Sequence, residues 1–451
     1  MTKKIFLLLL LLTIALSANL FAQGDNLTIK VAVMGPGDQL YFWWGHIALM
    51  IEDTSNDTAK MLREMGYNFP LMVEDSSNIT GYFFDYGIFS FDNDNFFYNF
   101  AFGRLLYSCG VSYAESNLNV YNRTNRDITV YTLDLPPETK LKVRDFAVHN
   151  VLPENCNYYY HHFRDNCSTR IRDIIDLATD GQFKEEFENK TTGFTLRNHV
   201  RRHTYFSPVA DWFLNFLMGQ VIDYHVTIWE EMFLPSEVGK RIEDFEYTDI
   251  NGKRRKLVSS VEIVNQAKNR PPVLVKPHKQ WIWELLFSLV LSAIFAFFFF
   301  LQKKGIKAGR VLAGVSMSLS GLFFGLIGLL LYFMNLFTNH DYTYQNINMI
   351  FCTPLLLVTV PFGICYAITK NQKKLQIYGE LIRLIWLLSV LGIIISMLLK
   401  LLPVFYQDNI TDQMLMLPIA LIFTLQPIGL KETLAKYFPK KPSGSGEKSG
   451  S

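Results

Sequence analysis

Tyr158-Tyr159-Tyr160-His161-His162-Phe163-Arg164-Asp165-Asn166-Cys167-Ser168-Thr169-Arg170-Ile171-Arg172-Asp173 puts one cysteine where a turn-forming Asp-Asn pair gives way to a helical pattern. Beyond it, Ile171, Ile174, Ile175 and Leu177 recur at helical spacing, with Arg170, Arg172 and Asp173 largely on the other side. A thiol in the first turn of a helix sits at the positive end of the macrodipole, beside N–H groups that have no acceptor in the helix. Both effects favour the nucleophilic thiolate. A small buried cysteine is also an ordinary packing residue. The reading of Cys167 therefore turns on whether a base lies elsewhere in the chain.

Upstream, the chain reads as strands. Leu27–Met34 alternates and ends in the turn Gly35-Pro36-Gly37; Tyr41-Phe-Trp-Trp44-Gly45 then leads into a strand candidate from His46 to Ile51. Gly45 leaves room immediately before the histidine. Gly81–Phe89 carries Asp85 in its middle, and further strand-like runs lie near Leu105–Val111 and Ile128–Leu133. Taken singly, His46 reads as a satisfied histidine and Asp85 as a solvent-facing acid. Together with Cys167 they are a base on one strand, an acid on a neighbouring strand and a thiol at a helix start. Those are the parts of a Cys–His–Asp site. His161 and His162 are rival bases by their nearness in sequence, although packing with Tyr158–Tyr160 and Phe163 accounts for them. His199-Val-Arg-Arg-His203 has the spacing of a helical metal pair, but it lacks the glutamate of His-Glu-x-x-His and any third ligand, so no metal site is expected. Cys109 and Cys156 are candidates for a disulfide that sequence does not determine.

Composition sets the frame. A chain of 451 residues with 49% hydrophobic content exceeds one ordinary soluble domain, and a net charge of +2 points to no nucleic acid. Five cysteines are too few for a disulfide scaffold. Met1-Thr-Lys-Lys, an apolar run from Ile5 to Leu16 and Ala22 form a secretory leader, so the chain beyond it is exported. After Pro271-Pro-Val-Leu-Val-Lys-Pro the composition turns apolar, with segments near Trp281–Leu301, Val311–Phe337, Ile347–Thr369, Leu384–Leu402 and Met414–Leu430. Each is long enough to cross about 30 Å of hydrocarbon as a helix. Lysines and arginines follow the first, third and fifth segments, and none occupies the loops after the second and fourth. The positive-inside rule then puts the C-terminus in the cytoplasm and the long N-terminal region outside. Arg383, Lys400 and Glu284 lie near span ends, where snorkelling would accommodate them.

Gly45-His46-Ile-Ala-Leu followed much later by Asp165-Asn166-Cys167-Ser-Thr-Arg170 resembles the circularly permuted papain-like folds, such as lecithin:retinol acyltransferase and NlpC-like relatives. In those folds the histidine strand precedes the cysteine helix. More closely, Gly45-His46, Tyr86-Gly87-Ile-Phe-Ser-Phe-Asp92, Asp165–Arg170 and Phe233-Leu-Pro235 resemble the Lnb lipoprotein N-acyltransferase family, whose membrane domain the C-terminal half also resembles. The resemblance implies an α+β, permuted papain-like periplasmic domain followed by an all-α transmembrane bundle. It divides the chain into a signal peptide (1–22), a periplasmic thiol acyltransferase domain (23–279), a five-helix transmembrane domain (280–432) and a flexible cytoplasmic tail (433–451).

It further implies a multi-pass protein of the bacterial inner membrane with Cys167 as nucleophile and His46 as its base. Asp85 is the third member, where relatives often carry Asn. Arg170, Tyr86, Trp44 and His162 are the expected substrate-binding residues. No cofactor is expected. The partners implied are a membrane phospholipid as acyl donor, a diacylglyceryl-cysteine lipoprotein as acceptor, and the bilayer itself. A hydrolase of peptidoglycan peptides or lipids would use the same Cys167 and His46. A non-enzymatic membrane receptor or assembly factor would instead leave those two residues far apart.

Overall fold

The computed structural model describes residues 24–67, 81–92 and 94–426. The leader and the C-terminal tail lie outside them. The chain forms two compact units: one holds residues up to Phe206 together with Tyr224–Lys276, and the other holds Ser207–Asp223 and the chain from Pro277 onward.

The first unit is α+β, built on a seven-stranded sheet. Its strands are β1 (Leu27–Met34), β2 (His46–Asp53), β3 (Gly81–Ile88), β4 (Leu106–Tyr113), β5 (Ile128–Leu133), β6 (Asn157–Tyr159) and, after two small two-stranded ribbons β7–β8 (Thr191–Thr195, His225–Thr227) and β9–β10 (Glu246–Thr248, Arg254–Lys256), β11 (Val258–Asn265). The order is β11-β5-β1-β2-β3-β4-β6, and every neighbouring pair is antiparallel. The five strands expected from the sequence all form; β6 and β11 carry no comparable signal in sequence.

The strand period of two divides the apolar residues between two faces. Ile47, Leu49 and Ile51 of β2, with Tyr82, Phe84 and Tyr86 of β3, face the helices Pro137–Asn150 and Cys167–Ala178, which contribute Val143, Ala147, Ile171, Ile174 and Ile175 to one buried cluster. Ala48, Met50 and Phe83 face the other way, against Ala114, Leu118 and Tyr121 of the helix Ala114–Arg123. By the same count His46 and Asp85 belong to this second face, while Cys167 opens a helix that covers the first. Arg172, expected on the solvent side of that helix, is buried. Its guanidinium lies 3.9 Å from the Trp229 ring centroid and donates to the Trp229 carbonyl at 2.9 Å, because a long side chain can lie across apolar surface with its head satisfied.

In the second unit, four stretches are long and apolar enough to cross a membrane: Trp281–Lys303, Lys307–Phe337, Ile347–Ile368 and Gln372–Leu399. The fifth expected segment holds the shorter helix Ile410–Thr424, and its remainder beyond residue 426 lies outside the described residues. Gly321 and Gly325 form a helix-packing face: a Cβ at Gly321 would run into Thr359, and one at Gly325 into Leu357. Arg383 does not snorkel. It is buried and donates to the carbonyls of Thr424 and Gln426 at 3.1 and 2.7 Å, closing the end of the Ile410–Thr424 helix.

The turn from β1 into β2 fixes where His46 begins. Gly45 has φ +82°, and a Cβ there would stand 2.7 Å from the Met34 carbonyl oxygen. Gly45→Ala is expected to destabilise the fold by about 1–3 kcal/mol, read as a lower thermal midpoint of the full chain; an unchanged midpoint would show that this turn is not under constraint.

Candidate active site

His46 is the first residue of β2. The register pairs Ala48 with Asp85 on β3, so Asp85 is the diagonal same-face neighbour of the histidine. His46 Nε2 lies 2.6 Å from Asp85 Oδ1, with both side chains largely buried. The Tyr121 ring lies parallel to the imidazole at 6.1 Å between centroids. Burial on its own would lower the His46 pKa; Tyr121, Asp85 and Cys167 outweigh it and hold the imidazole well above its ordinary value. Tyr121 is itself raised by burial, and is therefore neutral where an imidazole titrates. The charge of Asp85 is then the main permanent source of the shift, and its hydrogen bond adds to it.

Cys167 lies against the bulge of β3 at Gly87, two residues beyond Asp85. Asn166 caps its helix: Asn166 Oδ1 accepts from the Thr169 N–H at 2.9 Å, and Thr169 Oγ1 accepts from the Asn166 N–H at 2.8 Å. Asn166 Nδ2 donates to the carbonyls of His162 and Phe233 at 2.7 and 3.0 Å, so the cap is tied on both sides. This box occupies the Thr169 amide and leaves the Cys167 and Ser168 amides without an acceptor in the helix. On the sheet side, β3 bulges at Gly87, which has φ +88°. A Cβ on Gly87 would lie 3.8 Å from Cys167 Cβ, 3.4 Å from Tyr160 and 3.9 Å from the Tyr158 hydroxyl. The bulge thus places a residue without a side chain against the thiol. Cys167 is electrostatically coupled to His46, Tyr121, Tyr158 and Tyr160.

The other expected site residues are spread around this centre. Arg170 is held by Asp165 through two hydrogen bonds of 2.5 and 2.8 Å and stacks 4.2 Å from the Tyr158 ring. Tyr86 is buried, its hydroxyl accepting from Asn150 at 3.1 Å. Tyr86 and Arg170 line a cavity of about 250 Å³ with Arg164, Asp165 and Asp173. The Trp44 indole N–H is buried with no hydrogen-bond partner. His162 packs edge-on to Tyr160 at 5.5 Å. His161 Nδ1 accepts from the Phe163 and Arg164 amides at 3.1 Å each and so shapes the turn. His199 lies between Arg202 at 3.1 Å and Glu231 at 3.2 Å, and His203 Nδ1 donates to the His199 carbonyl at 2.7 Å. Burial lowers the His203 pKa to about 4. Both histidines are thus taken up by the interior. Cys109 and Cys156 are free thiols on adjacent chain segments, joined by a Cys109 N–H to Cys156 carbonyl bond of 2.9 Å.

Some residues beside the centre carry no sequence motif. Tyr121 closes the far side of His46. Arg126, 1% exposed, stacks between Phe42 at 4.7 Å and Tyr121 at 4.8 Å and donates to the Gly35 carbonyl at 2.8 Å. The Tyr158 hydroxyl is buried without a partner, and burial raises its pKa. From Tyr160 a run of ring contacts leads outward through Tyr107 (4.4 Å), Phe89 (5.1 Å) and Phe96 (5.8 Å) to Phe97 (5.5 Å), which is 72% exposed. Residues 89–102 are dense in aromatic rings, and their continuity toward Cys167 is set by the fold.

Residues 19–202 match the Lnb N-terminal periplasmic domain, and residues 276–425 match the Lnb transmembrane domain. No curated protein and no solved structure matches the chain.

A raised His46 pKa ties stability to pH. The protonated imidazole is favoured in the fold, so its contribution is complete below the unfolded value near 6.5 and is lost as pH rises through the folded value. The thermal midpoint of the full chain is expected to fall on His46→Gln by more at pH 6 than at pH 9, and a pH-independent difference would contradict the Asp85 pairing.

Proposed function

The chain belongs to the Lnb family, and from that premise we propose that it is a cysteine-dependent lipoprotein N-acyltransferase. The observation that carries the reading is the His46–Asp85 pair at 2.6 Å, with the helix-start thiol of Cys167 lying against Gly87, two residues beyond Asp85 on the same strand. That unit shares a chain with helices long and apolar enough to cross a membrane. The family match makes the protein a membrane protein with a periplasmic N-terminal domain. The basic loops at Lys303–Arg310 and Lys370–Lys374, against uncharged or acidic loops at 339–342 and 406–409, support an inner-membrane topology with a cytoplasmic C-terminus.

The reaction has two acyl transfers. His46 takes the Cys167 proton, and the thiolate attacks an ester carbonyl of a membrane phospholipid. The amide N–H groups at the helix start receive the developing oxyanion, and the unpartnered Tyr158 hydroxyl is a second donor at the same end. The C–O bond breaks, the imidazolium protonates the departing oxygen, and a lysophospholipid leaves an acyl thioester on Cys167. The α-amine of a diacylglyceryl-cysteine then attacks the thioester while His46 accepts its proton. The C–S bond breaks, and the product is an amide-linked third acyl chain. Asp85 orients the imidazole and stabilises its charged form. The exposed rings of Phe91, Phe97 and Phe100 favour acyl-chain substrates over peptidoglycan peptides, since so large an apolar patch suits a lipid surface.

The test uses the full chain in bilayers with phospholipid and a diacylglyceryl-cysteine peptide, followed by mass spectrometry. Expected products are lysophospholipid, an amide-acylated peptide and a hydroxylamine-labile acyl group on the Cys167 peptide. Cys167→Ala is expected to yield none of them, and His46→Gln to be slower by about a thousandfold or more. Free fatty acid without amide would make the protein a lipid hydrolase. An unchanged amide yield from Cys167→Ala would reject the nucleophile.

A further inference from the structure

The second unit contains a cavity that acyl transfer does not use. It measures about 390 Å³ and is lined by the end of the Trp281–Lys303 helix, the loop after it, and the starts of the helices Lys307–Phe337 and Gln372–Leu399. Lys303, Lys307 and Arg310 line it, with Gln302 beside them and Phe299 and Leu375 among its apolar residues. No acidic residue is among its lining. Among the described residues none of the three cations forms an ion pair, and the acid on the neighbouring helix, Glu380, is 3.1 Å from Arg383. Arg310 Nε is buried and has no hydrogen-bond partner.

Three features make this an anion site rather than a solvated basic loop. An unmatched guanidinium N–H out of water costs free energy until an acceptor reaches it. Two helix N-termini open onto the cavity, and their dipoles favour negative charge there; that of Gln372–Leu399 is capped by Asn371, which accepts from the Lys374 N–H at 3.2 Å, while that of Lys307–Phe337 has no side-chain cap. The opposing helix end is already neutralised: loop amides of Lys304, Gly305 and Ile306 donate to the carbonyls of Phe300, Gln302 and Leu301 at 3.1, 2.9 and 3.1 Å. The apolar residues then decide between kinds of anion. Phe299 and Leu375 offer nothing to free phosphate, but they suit the first methylenes of an acyl chain.

We propose that this cavity binds the phosphate headgroup of an anionic phospholipid, with Arg310 and Lys307 as its principal ligands. The lipid is held by the bundle and takes no part in acyl transfer. The proposal is independent of what Cys167 does.

The experiment uses the full chain, delipidated in a neutral detergent. Phosphatidylglycerol, phosphatidylcholine or inorganic phosphate is titrated into it, and binding is read from intrinsic fluorescence and the thermal midpoint. Phosphatidylglycerol is expected to bind saturably and raise the midpoint, phosphatidylcholine to bind less tightly, and inorganic phosphate to have little effect. Arg310→Gln is expected to weaken phosphatidylglycerol binding about fivefold, and Arg310→Gln with Lys307→Gln about thirtyfold. Lys276→Gln with Lys279→Gln removes the same charge outside the cavity and is expected to leave binding unchanged. Equal weakening by the two double variants would overturn the proposal, as would an equal effect of inorganic phosphate.

Discussion

The candidate active centre depends on one geometric constraint. His46 and Asp85 stand on one face of the sheet, while the helix carrying Cys167 packs on the other. A strand directs alternate residues to opposite faces, so no register of β2 and β3 can bring all three together in the middle of the sheet. The place where they can approach one another is the rim, where β2 begins and the helix start lies against the bulge of β3. Both crossing points need a residue without a Cβ. Gly45 turns the chain so that the strand can start on the histidine, and Gly87 bulges so that the helix start can reach over the edge. The capping box at Asn166 supplies the third fixed point by locking the first helical turn, with its free amides, against that edge.

Two opposing electrostatic effects act at this rim. Burying an imidazole favours its neutral form, while the negative charge of a neighbouring carboxylate favours the charged form. Here the second prevails, and His46 is held above its ordinary value. The aromatic surroundings contribute to both sides. Tyr121, Tyr158 and Tyr160 exclude water, which raises their own hydroxyl pKa values and strengthens every charge interaction left inside. A base that holds a proton well beside a thiol at a helix start is suited to forming and discharging a thioester.

Much of the first unit was legible because its strands are short apolar runs bounded by turn residues and its candidate nucleophile sits at a helix start. The five strand-like runs became β1 to β5, and the pairing of His46 with Asp85 follows from the register of adjacent strands. What could not be read had no local signal. Strand β11 is largely exposed and polar along Val258–Asn265, and it joins the sheet only because β5 offers a free edge. Arg172 looked like a solvent residue because the helical wheel does not know that Trp229 lies over it. Ser207–Asp223 has no membrane-length apolar run, yet it belongs to the second unit. There Asn346 donates to the Phe216 and Leu217 carbonyls at 2.9 and 3.1 Å, and Gln407 to that of Met218 at 3.1 Å. Contacts of that kind join residues more than a hundred positions apart and leave no periodicity behind.

The aromatic run from Tyr160 to Phe97 bears on why a thioester here would reach an amine before water. Fully burying an aromatic side chain is worth about 1.5–3 kcal/mol, so leaving Phe91, Phe97 and Phe100 exposed forgoes stabilisation that a soluble domain would ordinarily use. The same rings continue inward by contact to Tyr160, which borders the thiol. An acyl chain laid along them would cover the exposed rings and fill the approach to Cys167 with hydrocarbon. Water would then be kept from the carbonyl by the substrate's own chain. A second lipid-borne reactant, whose amine is anchored beside acyl chains of the same kind, would retain access. On that arrangement the choice between transfer and hydrolysis is made less by His46, which serves either nucleophile equally well, than by which nucleophile can arrive through an apolar approach.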